Sequence, residues 1–263
     1  MLRQPIAYYI SARPTKPLKQ LLLPILFLFL LFSTTPGTAD TWRELAPGVE
    51  YTDLGTTLLA PWAHVHVFRI DLKNNQLDMV MANDLSQPHA SADEFAHYSK
   101  ALITVNGGFF DHNYRPLGLR ISNHNQHNRL KRISWWGIFY IKNQKAHISS
   151  LHQFKTSQHI DFALQSGPRL LIDGHIPSLK AGRAERSALG IASDGRIILL
   201  VTDNAPMTTT TLAELMLFSP LHCKEALNLD GGSSSQLYAR INSFNINVHG
   251  FSNVSDAIIV KPR

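Results

Sequence analysis

Short apolar runs rich in β-branched and aromatic residues recur at residues 63–70, 76–81, 136–141, 197–202 and 256–260, each bounded by turn formers. Runs of that length and composition predict strands. Lys73-Asn74-Asn75 and Ser193-Asp194-Gly195 fall between such runs. Asn, Asp and Gly tolerate the positive φ of tight turns, so both segments predict hairpins. Two stretches carry helix-start signals instead, a Ser or Thr with Glu three residues on. They are Ser91-Ala92-Asp93-Glu94 and Thr211-Leu212-Ala213-Glu214. The pattern predicts an α+β domain with a mixed, largely antiparallel sheet and few helices.

The segments after the two helices are alike. The first helix leads into the apolar run 101–105 and Asn106-Gly107-Gly108, and the second leads into 225–229 and Asp230-Gly231-Gly232. The recurrence reads either as a pseudo-repeat of helix-strand-Gly-Gly units or as two common local patterns in coincidence. In both cases the turns stand at the C-terminal ends of apolar strands, where open α/β architectures gather ligand sites.

The N-terminal stretch differs in kind. Arg3, Arg13, Lys16 and Lys19 precede the apolar run 21–32, and Gly37-Thr38-Ala39 supplies small residues for a signal-peptidase cut. This predicts a signal peptide over 1–39 and a single domain over 40–263, periplasmic or secreted. The apolar run falls short of the roughly 20 residues of a spanning helix, and Pro24 interrupts it. If left uncleaved, the leader would anchor the chain in the inner membrane. Four of the 25 Lys and Arg lie in the leader, which holds none of the 19 Asp and Glu, so the rest of the chain is close to neutral. No Lys/Arg cluster interleaved with aromatics lies beyond it, and nucleic acid is not an expected partner. Cys223 is the single cysteine, so no intramolecular disulfide forms and the thiol is expected to be a buried small hydrophobe.

Three constellations carry chemistry. In Val105-Asn106-Gly107-Gly108-Phe109-Phe110-Asp111, two residues without Cβ let backbone N–H groups approach an anionic or hydroxyl-rich ligand, flanked by Asn106 and Asp111. In Leu229-Asp230-Gly231-Gly232-Ser233-Ser234-Ser235, an acid leaves an apolar strand into a dense set of hydroxyls and unhindered amides. Between them lie Gln165-Ser166-Gly167-Pro168-Arg169 and Glu185-Arg186-Ser187, where the planar fork of Arg186 suits a phosphate. Taken singly, the first reads as a turn and the third as a solvated charge cluster, while the second favours a site.

Together the segments NGGFFD (106–111), PLGL (116–119), QSGPRLL (165–171), ERSALGI (185–191), VTDN (201–204) and LNLDGGSSSQLY (227–238) resemble the phosphodiester glycosidase family, in order and spacing. The nearest likeness is to its small exported bacterial members. The resemblance implies a hydrolase that cleaves a sugar-1-phosphodiester to free sugar and a phosphomonoester, acting on a glycosyl-phosphate or glycan substrate. A phosphate monoester is a weakly basic leaving group, so the site needs an anion cradle and a carboxylate near the anomeric carbon more than a strong acid. On that reading Asp230 and Asp111 are the catalytic carboxylates, with Arg186 gripping the phosphate. Gly107, Gly108, Gly231, Gly232, Ser233 and Ser234 form the cradle, and Asn106, Gln165 and Ser166 bind sugar hydroxyls.

Other features weigh less. His64-x-His66 puts two imidazoles on one strand face without an obvious third ligand, and His124 and His127 sit in a hydrated loop. Ca is a candidate cofactor through Asp230 with Asp111 or Asp203, though spacing alone does not show it. Trp135-Trp136 serves either as a sugar-stacking platform or as core and rim. Ser234 lacks the closing glycine of a nucleophile elbow, which ranks a serine hydrolase low. A non-catalytic carbohydrate-binding or envelope-scaffold protein would keep the same turns for binding only.

Overall fold

The computed structural model describes residues 42–55, 60–156 and 159–263, and the signal-peptide segment lies outside them. Among the described residues no helix is long and apolar enough to cross a membrane. The first sheet has seven strands, in the order Arg43–Ala46 (β1), Val49–Asp53 (β2), His64–Ile70 (β3), Ile197–Asp203 (β14), Ser187–Ala192 (β13), Cys223–Asn228 (β16) and Arg169–Leu171 (β11). The second has five, Phe244–Val248 (β18), Leu237–Ile241 (β17), Ile103–Asn106 (β5), Asp256–Pro262 (β19) and Asn75–Met81 (β4). The third also has five, Asn125–Asn128 (β7), Arg120–Ser122 (β6), Phe162–Ser166 (β10), Gly137–Lys142 (β8) and Lys145–Ser150 (β9). Arg183–Ala184 (β12) and Met207–Thr208 (β15) form a separate two-stranded ribbon.

Every described pairing is antiparallel. The α+β expectation holds, distributed over several sheets. Ser193-Asp194-Gly195 is the expected hairpin, joining β13 to β14 with Gly195 at φ +88°. Lys73-Asn74-Asn75 is not a hairpin: β3 pairs with β2 and β14, whereas β4 pairs with β19 in the second sheet. The turn carries the chain from one sheet to the next, a difference that local turn chemistry does not encode.

Period-two alternation assigns each strand face to its own core. On β3 and β14, Phe68, Ile70, Leu199 and Val201 enter a central cluster shared by all three sheets, while Val65, Val67, Ile198 and Leu200 face the opposite way. That opposite face is covered by helix α2 (Thr209–Leu217) through Leu212, Ala213 and Met216. Helix α1 (Ala92–Ser99) covers the outer face of the second sheet, where Phe95 packs with Val80, Ala257 and Ile259. With apolar residues buried on both faces, the sheets need helical or loop cover on each side, which accounts for the position of the helices.

Helix α1 begins as expected. The Glu94 carboxylate accepts from Ser91 N–H at 2.8 Å and from its hydroxyl at 2.9 Å. For α2 the cap is Thr208, three residues before the expected Thr211: its Oγ1 accepts from Thr211 N–H at 3.0 Å, on an extended backbone. The helix starts earlier because Thr208 ends β15 in the extended conformation that a capping residue requires. The pseudo-repeat is not confirmed. β5 is the central strand of its sheet and packs under α1, whereas β16 lies next to the edge strand of another sheet and packs under α2.

Candidate functional site

The two Gly-Gly turns meet. Asp230 N–H donates to Gly107 O at 3.3 Å, and Asn106 Nδ2 donates to Asp230 O at 2.7 Å. Asn106 Oδ1 accepts from Ser187 Oγ at 2.6 Å and from Gln236 N–H at 3.2 Å. Asn106 is fully buried at the end of β5, so its amide clamps β13, the Asp230 turn and the start of β17 together. The expectation that it binds sugar hydroxyls is corrected, because these bonds occupy its side chain.

Under the first turn lies a group that sequence reasoning missed, an ion pair between Arg120 on β6 and Asp256 on β19, both wholly buried. Arg120 Nε donates to Asp256 Oδ1 at 3.1 Å, and its two terminal nitrogens donate to the carbonyls of Leu117, Leu119, Gln165 and Phe109. A buried charge pair is tolerable only when its remaining donors are satisfied, and here they are. Gly107 N–H goes to Asp256 O and Gly108 N–H to Asp256 Oδ1. A Cβ on Gly107 would stand 1.8 Å from Asp256 Oδ1, and one on Gly108 would stand 2.6 Å from Arg120 Nη2. The glycines are there to let the backbone lie on the ion pair. Their amides do not form the expected anion cradle.

Beside the joined turns opens a cleft of about 660 Å³. Asp230, Gly231 and Gly232 form one side, Arg186 and Lys180 supply positive charge, and Phe109, Trp135 and Leu179 give it an apolar wall. Asp230 is the one carboxylate among the described lining residues. Burial drives its pKa up to about 6, helped by the neighbouring Asp256 charge and opposed by hydrogen bonds from the Ser234 hydroxyl and Gly231 N–H and by Arg120. Its carboxyl is thus half-protonated near pH 6 and mostly ionised at neutral pH, in the range suited to proton transfer. Arg186 is held by Nε to Met207 O at 2.9 Å and Nη2 to Gly182 O at 2.6 Å. Burial lowers its pKa, and among the described ion pairs none involves it. A guanidinium keeps its charge under such a shift, so the cleft presents it as an anion ligand.

Asp111, Gln165, Ser166 and Ser233 lie outside the lining of this cleft. Asp111 lies outside the lining, and its Oδ1 accepts from Asn113 and Arg115 N–H, which lowers its pKa and spends it on closing a turn. Gln165 is buried, with Oε1 accepting from Leu119 and Lys131 N–H and Nε2 donating to Lys131 O. It pins a loop, and Ser166 is buried beside it. Ser233 is exposed on the second turn and its carbonyl accepts from Ser252 N–H. Trp135 takes the rim and Trp136 the core, edge to face at 5.8 Å.

Cys223 is buried, which pushes its thiol pKa up and leaves it inert. His66 is buried, with Nδ1 at 2.9 Å from the Tyr51 hydroxyl, while His64 pairs with Asp53 at 2.6 Å. Among the described residues no group of three His, Cys, Asp or Glu is placed to hold a metal ion. Lys180 and Asn228 of the lining were missed by sequence reasoning, Lys180 because a lysine in a loop carries no distinguishing signal. Arg120 directly follows the PLGL segment, and an arginine among the apolar residues of a short strand was the available clue.

Comparison with known proteins bears on this arrangement. The fold matches the catalytic domain of zebrafish N-acetylglucosamine-1-phosphodiester alpha-N-acetylglucosaminidase, auto-inhibited by its pro-peptide, with a TM-score of 0.64 and 18% identity over 84% of this chain and 86% of that one. It also matches a hypothetical protein from Synechocystis, with a TM-score of 0.60 and 16% identity over 84% of this chain and 63% of that one. "Uncharacterized protein YigE" of Escherichia coli (strain K12) is 30% identical over 167 residues, 58% of this chain, and the match spans 63% of that protein's length. The phosphodiester glycosidase family profile matches residues 99–261, which hold both Gly-Gly turns, the buried ion pair and Asp230, and the chain belongs to that family.

Proposed function

We propose that this protein is an exported hydrolase that cleaves a sugar-1-phosphodiester, releasing free sugar and a phosphomonoester. The observation that carries the reading is Asp230, a carboxyl with a pKa of about 6, in a cleft that also presents Arg186 and an aromatic wall. Arg186 and Lys180 hold the phosphodiester anion, and Trp135 and Phe109 lie against the apolar face of the sugar or the aglycone. Water attacks the anomeric carbon as the bond to the phosphate oxygen breaks. The leaving phosphate takes that electron pair, and ionised Asp230 takes the proton from the water. A single carboxylate suffices because the departing phosphate needs no proton, unlike the alcohol released by an ordinary glycosidase.

The test is turnover of nitrophenyl-phosphoryl sugars and UDP-sugars by the purified protein. Sugar release is expected, with kcat/KM rising through about pH 6 to a plateau as Asp230 ionises. Asp230→Asn is expected to lose activity by about 100-fold or more. Release that persists in Asp230→Asn sinks the assignment, and ligand binding with no release by the native protein indicates a binding module. Export is supported by the basic-then-apolar leader and predicts a mature N-terminus at Asp40, read by intact mass of the periplasmic or secreted protein. A full-length mass in that fraction contradicts it.

A further inference from the structure

The Gly167-Pro168 turn forms part of the cleft lining, and around it four buried polar atoms find no hydrogen-bond partner among the described residues: Ser166 Oγ and Arg169 Nε on the flanking residues, and Asn228 Oδ1 and Trp136 Nε1 on residues packed against it. Buried polar groups are nearly always paired, and each exception calls for a cause, such as a water, an ion or a role in the chemistry of a site. Asn228 is the last residue of β16, only 4% exposed, and it lines the cleft with Asp230. Its amide orientation is settled by its neighbours. Nδ2 donates to Gly167 O at 3.2 Å and to Leu229 O at 2.5 Å, and turning the group over would set Oδ1 against both carbonyls. The free atom is therefore an acceptor.

Trp136, a core residue behind the cleft lining, packs against the same turn. A Cβ on Gly167 would stand 2.7 Å from Trp136 Cδ1, the ring atom bonded to Nε1. Phe109 and Trp135, both of the cleft wall, hold the ring with centroids at 5.2 and 5.8 Å. An indole N–H only donates. An acceptor and a donor flanking one turn are the complement of a hydroxyl, which gives one hydrogen bond and receives another.

We propose, building on the glycosyl-phosphodiester reading above, that Asn228 Oδ1 and Trp136 Nε1 together bind one hydroxyl of the sugar and select substrates that carry it. A water molecule matches the pair as a hydroxyl does and would fill the place in the free protein, to be displaced by the sugar; the other occupants are poorer matches. A carboxylate or phosphate oxygen would repel the Asn228 acceptor, and an apolar group would leave both atoms unpaired.

A deoxy scan tests this, with 4-nitrophenyl-phosphoryl hexosides in which each hydroxyl in turn is replaced by hydrogen. One position is expected to lower kcat/KM by about 10- to 100-fold, since a site built to hydrogen-bond a hydroxyl rejects the analogue lacking it. Trp136→Phe keeps an aromatic ring and removes only the N–H. It is expected to slow the parent sugar towards the rate of that deoxy analogue while leaving the analogue's own rate unchanged. Asn228→Leu should act likewise, but it also removes two bonds to the backbone, so Trp136→Phe separates the site from the fold.

A series in which every deoxy sugar matches the parent overturns the proposal, as does discrimination that survives in both variants. If the native protein turns over none of these substrates, the hydrolase reading fails separately. The deoxy series is then compared as sugar-1-phosphates by calorimetric titration, where equal affinities overturn the proposal and one weakened member supports it.

Discussion

At the scale of single residues, the most informative group is Asp230. A carboxyl with its pKa raised to about 6 binds protons more readily in the folded chain than in the unfolded one. This group therefore costs the fold nothing below the unfolded carboxylate pKa, and the cost grows as pH rises through about 6, where a partly desolvated charge must be held. Asp230→Asn removes the ionisation. It is expected to raise stability at pH 8 by on the order of 2 kcal/mol and to leave it unchanged near pH 4, read from urea unfolding at both values. Equal effects at the two pH values would show that Asp230 is not strained by its charge. Stabilisation gained at the expense of activity is the usual mark of a residue kept for chemistry.

At the scale of elements, the helices are held by caps whose positions depend on the strands before them. Thr208 both closes β15 and caps α2, which presents Leu212, Ala213 and Met216 to the first sheet. Thr208→Ala is expected to cost about 1 kcal/mol in chemical unfolding, and Thr211→Ala distinctly less. The reverse order would return the cap to Thr211. The start of α1 is tied to the second Gly-Gly loop, since Gln236 Oε1 accepts from Ala92 N–H at 2.6 Å while Nε2 donates to Ser234 O and Ser252 O. Helix α1 thus braces the turn that carries Asp230 without lining the cleft itself.

At the scale of the whole molecule, two polar ties join the three sheets beneath the site. Asn106 links the second sheet to Ser187 of the first, and Arg120 links the third sheet to Asp256 of the second. Removing one member of a buried pair leaves an uncompensated charge, so Arg120→Met is expected to destabilise the protein by about 3–5 kcal/mol. Adding Asp256→Asn to that variant removes the stranded charge and is expected to restore part of the loss, measured by a double-mutant cycle in urea. Additive losses would show that the two side chains are not coupled. Because Arg120 lowers and Asp256 raises the pKa of Asp230, Arg120→Met alone should move the pH midpoint of activity upward, and the double variant, which removes both opposed charges, should bring it back towards the native value.

Much of this was legible in the sequence, and the reason is local. Strand runs, the Ser91–Glu94 capping box, the Ser193-Asp194-Gly195 hairpin and the family motifs depend on residues a few positions apart, and the chain itself holds those together. Asp230 was legible on the same terms, as an acid leaving an apolar strand into a Gly-Gly turn. Which side chains remain free to meet a substrate was not legible, because that depends on partners far away in the chain. Asn106 is spent on Ser187 and the Asp230 turn, Gln165 on residue 131, and the amides of Gly107 and Gly108 on Asp256. The sequence by itself determined the strand-rich α+β class, the family and the joining of acid and glycines at residue 230. Tertiary structure alone decided that the first Gly-Gly turn seats a buried ion pair, and that Asp230 stands in a cleft with Arg186. The physical reason is that hydrogen-bond saturation and desolvation belong to the assembled surroundings of a group, while turn and strand preferences belong to the residue and its neighbours in the chain.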